Sequence, residues 1–254
     1  MRIKVLTAIF ASCLIVSCHN GKQTQQEENN DKAQDMKKEK STSLKSKLED
    51  KKTNFTLKAD DTKKRAYREG IESVEKSGIV KSAKQIGDKA PDFTLNNALG
   101  EPVSLSEYLK EGKVVLTWYR GGWCPYCNLT LNALQEELSN FKAQGANLIA
   151  LTPELPDESI STSEKNDLAF EVLSDVGNKI AKEYGIVFEL TDEVAGMYNQ
   201  SFELNAHNGD ASNQLPLAAT YIIDQNGEII YAFLDADYRN RAEPSELTSF
   251  LKNH

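Results

Sequence analysis

The sequence predicts a three-layer α/β domain filling the C-terminal two-thirds of a 254-residue chain. Three observations predict it. From Lys113 onward, apolar runs of strand length alternate with segments of helical period. The series closes on two apolar runs flanking Asn226-Gly227, a hairpin turn signal, and then one last helical segment. Residues 1–85 stand outside this alternation and differ in composition. Strand–helix alternation followed by a hairpin and a helix gives a sheet covered on both faces.

Taken in order, Met1-Arg2-Ile3-Lys4 is a short positive start, and Val5 to Val16 is apolar except for Thr7, Ser12 and Cys13. That run is too short for a membrane-spanning helix and has the proportions of a signal-peptide core. It ends Leu14-Ile15-Val16-Ser17-Cys18, where the sequence turns polar. These residues resemble the lipobox of bacterial lipoproteins. The resemblance implies removal of residues 1–17 and lipidation of Cys18, with the protein anchored in the bacterial cell envelope and facing the periplasm or exterior. An ordinary signal peptide cleaved nearby, or a cytosolic chain with an apolar start, are the alternatives. Residues 18–58 follow as a charged segment; from Asn20 to Thr53 its only apolar residues are Ala33, Met36, Leu44 and Leu48. Too little surface can be buried to offset ordering, which predicts a tether that is disordered or transiently helical. Residues 59–85 read as an N-terminal helical extension: Tyr67, Ile71 and Val74 recur at i, i+4, i+7, and Ser77-Gly78 supplies a stop.

The domain proper spans 86–254. Phe93-Thr94-Leu95 and Val103-Ser104-Leu105 read as short strands with a turn at Asn97–Gly100. Lys113–Tyr119 is the strongest strand. After Cys124, Leu131, Leu134, Leu138 and Phe141 lie on one helical face, ended by Gly145. Asn147–Thr152 is an apolar strand, followed by a polar helix over Glu158–Asp167, a strand near Glu171–Leu173 and a helix around Lys179–Tyr184. Thr220–Asp224 and Glu228–Leu234 form the hairpin, and the last helix runs from Pro244 or Ser245 to Leu251.

Charge divides the chain the same way. Up to Ala90 there are 20 Lys/Arg against 13 Asp/Glu; from Pro91 there are 10 against 25. An acidic body repels phosphates, which argues against nucleic-acid binding by the folded part. Four cysteines are too few for a disulfide-scaffolded secreted mini-domain, and three scattered histidines leave little for a histidine metal site.

With Cys13 assigned to the removed leader and Cys18 to lipidation, Cys124 and Cys127 remain. They sit in Trp123-Cys124-Pro125-Tyr126-Cys127, directly after a buried-type strand and at the start of a helix. A cysteine at a helix N-terminus faces unpaired N–H groups and the positive end of the dipole, which favours its thiolate. Pro125 suits the first turn, where its missing N–H is not needed. Cys127, one turn along, is close enough to attack a sulfur held on Cys124. Zinc would need further ligands: no second cysteine pair exists, and His207 alone lies in the body of the domain. An inert structural disulfide stays open in an oxidising compartment. The strand–Cys-x-x-Cys–helix setting favours redox chemistry. His207, in a polar loop, reads as exposed.

These residues resemble the peroxiredoxin-like (alkyl hydroperoxide reductase/thiol-specific antioxidant) branch of the thioredoxin-fold superfamily. Gly87-Asp88-Lys89-Ala90-Pro91-Asp92-Phe93-Thr94-Leu95 is similar to that branch's opening strand; Trp118–Cys127 and Thr220–Asp224 with Asn226-Gly227 resemble its centre and late hairpin.

 The resemblance implies a thioredoxin-like fold, a central mixed β-sheet flanked by helices, with peroxiredoxin-type insertions between Cys127 and Thr220. It implies a peroxide substrate and no cofactor or metal. Cys124 would attack the peroxide oxygen and become a sulfenic acid, Cys127 would resolve it as an intramolecular disulfide, and a thioredoxin-like partner would reduce that disulfide. Where the family places a second arginine near the late strand, this chain has Ala218, leaving Arg120 as the cation beside the motif. Arg120 reads equally as a thiolate-stabilising group or as half of a surface salt bridge. Trp123 reads as part of the site or as packing. The competing activity is that of a membrane-tethered thiol–disulfide oxidoreductase acting on protein disulfides, which the lipid anchor and the Cys-Pro-Tyr-Cys sequence also suit.

Overall fold

The structure, a computed structural model, describes residues 43–97 and 100–254. The leader, Cys18 and the first part of the tether lie outside the described residues. The chain begins with three helices, α1 (Leu44–Lys58), α2 (Asp61–Ser77) and α3 (Ile79–Ser82), then β1 (Thr94–Asn96), β2 (Pro102–Ser104) and α4 (Leu105–Glu111). Next come β3 (Lys113–Trp118), α5 (Pro125–Ala143), β4 (Ala146–Thr152), α6 (Pro156–Lys165), β5 (Glu171–Ser174) and α7 (Lys179–Glu183). The segment β6 (Val187–Glu189), α8 (Asp192–Phe202), α9 (Leu204–Asn208) and β7 (Gln214–Pro216) precedes β8 (Thr220–Ile223), β9 (Ile229–Phe233) and α10 (Pro244–Asn253).

The central sheet has the order β5-β4-β3-β8-β9. β3, β4 and β5 run parallel, β8 lies antiparallel to β3, and β9 antiparallel to β8. Val114 pairs with Ile223 and Leu116 with Tyr221, so by the two-residue period Val114, Leu116 and Trp118 face one side with Tyr221 and Ile223. That side is covered by Leu105 and Leu109 of α4 and by Ala181 and Tyr184 at α7. Val115 and Ile222 face the other side, against Leu134, Leu138 and Phe141 of α5 and Leu247 and Leu251 of α10. This is the mixed, three-layer sheet expected. The parallel strands end together at the edge where β3 runs into the cysteine loop, the place where open α/β sheets leave a crevice.

Two expectations need correction. The sequence assigns residues 18–58 to a disordered tether, yet α1 forms over the last 15 of them. The reason is placement rather than amount of apolar surface. Leu44 and Leu48 lie at i, i+4, share a helical face, and are only 2 % and 4 % exposed, in one cluster with Tyr119, Tyr126 and Leu131. Burying two leucines contributes about 2 kcal/mol each. The helix start is also held from afar: both oxygens of Glu243 accept backbone N–H groups, from Leu44 at 3.1 Å and Lys45 at 2.9 Å. Lys52 Nζ donates to Asn240 Oδ1 at 2.6 Å. Composition cannot reveal a docking partner almost two hundred positions away (|i−j| = 199 for Leu44 and Glu243). The second correction concerns the stretch between Tyr184 and Thr220, where β6, α8, α9 and β7 were not legible; two of them are three-residue strands, too short to show a period. The helix predicted by the spacing of Tyr67, Ile71 and Val74 is α2, stopped by Gly78 at φ +75°.

Candidate active site

The site is built at the end of β3. Trp118 and Tyr119 are buried, and the chain then turns through Arg120-Gly121-Gly122-Trp123 into α5. Two glycines are required for this turn. Gly121 has φ +153°, and a Cβ there would stand 2.1 Å from Trp123 Nε1 and 2.8 Å from Glu154 Oε1. A Cβ on Gly122 would stand 2.0 Å from Thr162 Oγ1. Gly122 N–H donates to both oxygens of Glu154 at 3.0 Å, which ties the loop to the end of β4. Asn128 Nδ2 donates to the carbonyls of Gly122 at 2.8 Å and Cys124 at 3.2 Å, clamping the loop onto the first turn of α5.

Cys124 is the N-cap residue of α5, with Pro125 at the first helical position, as the sequence predicts. Its sulfur faces a cavity of about 170 Å³ whose wall includes Phe55 and Tyr67 of the N-terminal helices, Arg120, Trp123, Tyr198 and Tyr238. Phe55 stacks on Tyr67 with ring centroids 5.4 Å apart, joining α1 to α2 across the cavity wall. Cys124 is 1 % exposed, and this cavity brings space to it. Trp123 is half-buried, stacked on Phe202 at 5.3 Å, and lines the cavity; its packing and its place in the site coincide.

Arg120 is 1 % exposed, which removes the surface salt-bridge reading. Its guanidinium lies 4.0 Å from the ring centroid of Tyr238 and 5.1 Å from those of Trp123 and Tyr198. Nη2 donates to Tyr198 Oη at 2.6 Å. Burial works against the charge, but Tyr198, Cys124, Tyr238 and Cys127 raise its pKa, so it remains a cation. Nε and Nη1 are buried without a hydrogen-bond partner among the described residues. Unmet donors of this kind call for an acceptor, and a ligand oxygen in the cavity beside Cys124 is one.

Both thiols are free and buried. Burial first, then the neighbouring Cys127, pushes the Cys124 thiol well up, while Arg120 and Arg241 oppose. Burial also works against a Cys127 thiolate, but the Cys124 S–H, the guanidinium groups of Arg241 and Arg120, and the Arg120 N–H outweigh it and hold Cys127 well below the ordinary thiol range. The helix N-terminus is therefore not the only influence on the pair: burial opposes a thiolate on Cys124, while the Arg241 guanidinium and the Arg120 backbone N–H, both directed at the other sulfur, favour one on Cys127.

The structure places Cys124, Cys127, Arg120, Trp123 and Pro125 together at the end of β3 and the start of α5, and Cys18 lies outside the described residues. Sequence reasoning missed Tyr67, Tyr198, Tyr238, Glu154 and Arg241, none of which stands at a motif spacing from the cysteines. His207 is another correction. It lies in α9, not exposed in a loop, with Nδ1 3.0 Å from Glu158 Oε2 and 3.5 Å from Glu154 Oε1.

Known proteins match this chain over the same region. The AhpC/TSA family model matches residues 86–232. Peroxiredoxin Q of Arabidopsis thaliana chloroplasts is 26 % identical over 187 residues, covering 74 % of this chain and 76 % of its own length. The chloroplast peroxiredoxin Q of Sedum lineare is 28 % identical over 160 residues, 63 % of this chain and 72 % of its own. Among solved structures, the peroxiredoxin-like protein of Aquifex aeolicus superposes with a TM-score of 0.54 at 17 % identity, covering 67 % of this chain and 88 % of that one. Peroxidoxin BcpB of Mycobacterium tuberculosis gives 0.53 at 18 % identity, covering 66 % and 97 %. The matched region runs from the segment before β1 through β9 and contains the whole strand–cysteine–helix unit: this chain belongs to the AhpC/TSA family.

Proposed function

We propose that this thiol peroxidase reduces hydrogen peroxide or organic hydroperoxides at Cys124. The observation that carries the assignment is that Cys124 caps α5 inside a cavity, with the unmet donors of Arg120 beside it and Cys127 one turn behind. In the reacting form the shared proton moves to Cys127 and the Cys124 thiolate attacks the terminal peroxide oxygen. The O–O bond breaks, the alkoxide takes the proton back from Cys127 and leaves as alcohol or water, and Cys124 carries a sulfenic acid beside a Cys127 thiolate. Arg120 stabilises the negative charge that develops on the leaving oxygen. Attack by Cys127 then forms the Cys124–Cys127 disulfide, and a thioredoxin-like dithiol restores the pair.

Burial of Cys124 behind aromatic walls favours a small reactant over a disulfide on a folded protein, which speaks against the thiol–disulfide oxidoreductase reading. The test is turnover of a hydroperoxide with thioredoxin, its reductase and NADPH. NADPH oxidation should depend on both peroxide and thioredoxin and fall to background in Cys124→Ser. Brisk reduction of insulin disulfides without peroxide turnover would reverse the choice. The lipobox-like residues further support a lipid anchor on Cys18 at the bacterial cell envelope. Cys18→Ala should move the chain from the membrane to the soluble fraction; an unchanged distribution counts against the anchor.

A further inference from the structure

The peroxidase reading uses Arg120 but leaves a second arginine at the same pair of sulfurs unexplained. Arg241 lies in the segment between β9 and α10, and its Nη2 donates to Cys127 Sγ at 3.4 Å. Its other terminal nitrogen, Nη1, donates to the carbonyls of Tyr238 and of Asn240, the latter at 2.7 Å. The guanidinium is thereby fixed in orientation by two backbone acceptors, with one edge left for the sulfur. The segment that carries it is itself held. Asn240 Nδ2 donates to Asp235 at 2.8 Å, Tyr238 packs edge-on against Tyr126, and Glu243 caps α1.

From the opposite side, the Arg120 backbone N–H points to the same sulfur at 3.5 Å. The two arginines divide the pair between them: Arg120 acts more strongly on Cys124, Arg241 more strongly on Cys127. The remaining titratable groups near Cys127 are Cys124, Tyr119 and Glu154. Glu154 and Tyr119 carry no positive charge, so the two guanidinium groups are the cations that face Cys127.

We infer that Arg241 is a second catalytic arginine, which holds Cys127 as the thiolate that attacks the Cys124 sulfenic sulfur. In that step the Cys127 sulfur gives an electron pair to form the S–S bond and the Cys124 S–O bond breaks. Hydroxide leaves and takes a proton from solvent to become water. Over both steps the dithiol loses two electrons, the peroxide gains them, and one alcohol and one water are released. A thiolate already formed needs no base at the moment of attack, so resolution follows peroxide reduction quickly and the sulfenic acid is protected from a second peroxide. The resolving role rests on the peroxidase reading; the thiolate does not, and the two are tested separately.

The first measurement is the ultraviolet thiolate absorbance of the full chain, titrated in Cys124→Ser, with and without Arg241→Met. Cys127 should ionise well below an ordinary thiol when Arg241 is present and move markedly upward when it is replaced, whether or not the chain reduces peroxide. Arg241→Lys, which keeps the charge, should recover most of the low value even if Arg241→Met disturbs the fold. Superimposable titrations in all three backgrounds would overturn the inference. The second measurement follows one turnover by rapid-quench mass spectrometry. In Arg241→Met, disulfide formation should slow about tenfold or more relative to sulfenic acid formation at neutral pH, and its pH profile should move to higher pH. An unchanged ratio of the two rates would remove Arg241 from the resolving step. Absence of any sulfenic acid in the unsubstituted chain would instead remove the peroxidase reading and leave the titration result standing.

Discussion

The two walls of the cysteine cavity are made in opposite ways. One is a single run, Trp118–Cys127, in which strand end, glycine turn, N-cap cysteine and helix follow one another along the chain. The other is assembled from α1, α2, α8 and the segment before α10; outside the cavity lining, that same segment brings Arg241 to Cys127 across 114 positions. The local wall supplies the reactive sulfur and Arg120. The assembled wall supplies the aromatic enclosure, and the segment it shares with Arg241 supplies the guanidinium on the second sulfur. Reactivity in this site is therefore divided: what reacts is written locally, and which sulfur carries the negative charge is decided by the fold.

The largest expected effect breaks the local wall. Arg120→Met should slow oxidation of Cys124 by peroxide by about 10²–10³-fold, the scale of a lost charge-stabilising donor in a buried site. Arg120→Lys should recover little, because an ammonium cannot reproduce the planar set of donors that reaches Tyr198 and the cavity together. Stopped-flow peroxide kinetics measures both. A rate within about threefold of the unsubstituted chain would mean that the assembled wall carries the charge stabilisation instead.

A smaller effect tests how the local loop is held. Burial, together with the charges of Cys127 and Glu158, raises the Glu154 carboxyl from 4.5 to about 7, against the Gly122 N–H and Thr152 hydroxyl. His207 also faces it, with Nδ1 at 3.5 Å. The folded chain therefore keeps a proton that the unfolded chain releases. This contribution is fully present below pH 4.5 and is lost as the pH rises through about 7, amounting to about 3 kcal/mol. Denaturant unfolding across that window should show stability falling with pH in the unsubstituted chain and a flatter profile in Glu154→Gln. Equal slopes would show that Glu154 is not the titrating group.

The smallest effects test the assembled wall. Leu48→Ala should cost about 2 kcal/mol by removing one of the two apolar anchors of α1. Glu243→Ala should cost about 1 kcal/mol by leaving the N–H groups of Leu44 and Lys45 uncapped. Both should expose residues 44–58 to proteolysis before the domain unfolds. If both were silent in unfolding and proteolysis, α1 would behave as the tether that its composition suggests.

The same division explains what could be read from the sequence. β3, β4, α5 and the late hairpin show clear periods because each buries a face against its neighbours in the sheet. The cysteine unit was legible because its chemistry depends on residues one helical turn apart. Arg241 and Tyr238 were not, since nothing in Asp237–Glu243 marks them as facing the cysteines until β9 and α10 are in place. Leu44 and Leu48 show the same limit in another form. Their spacing was visible, but the surface that makes it matter belongs to Tyr119, Tyr126 and Leu131.

The most direct test of the account uses the full chain carrying Cys127→Ser, reduced and mixed with a hydroperoxide, with Cys124 followed by mass spectrometry. The account predicts that one oxygen is added to Cys124 at a rate proportional to peroxide and persists because no resolving sulfur is present. Cys124 left unoxidised while peroxide is consumed, or oxidised no faster than an ordinary free thiol, would contradict it.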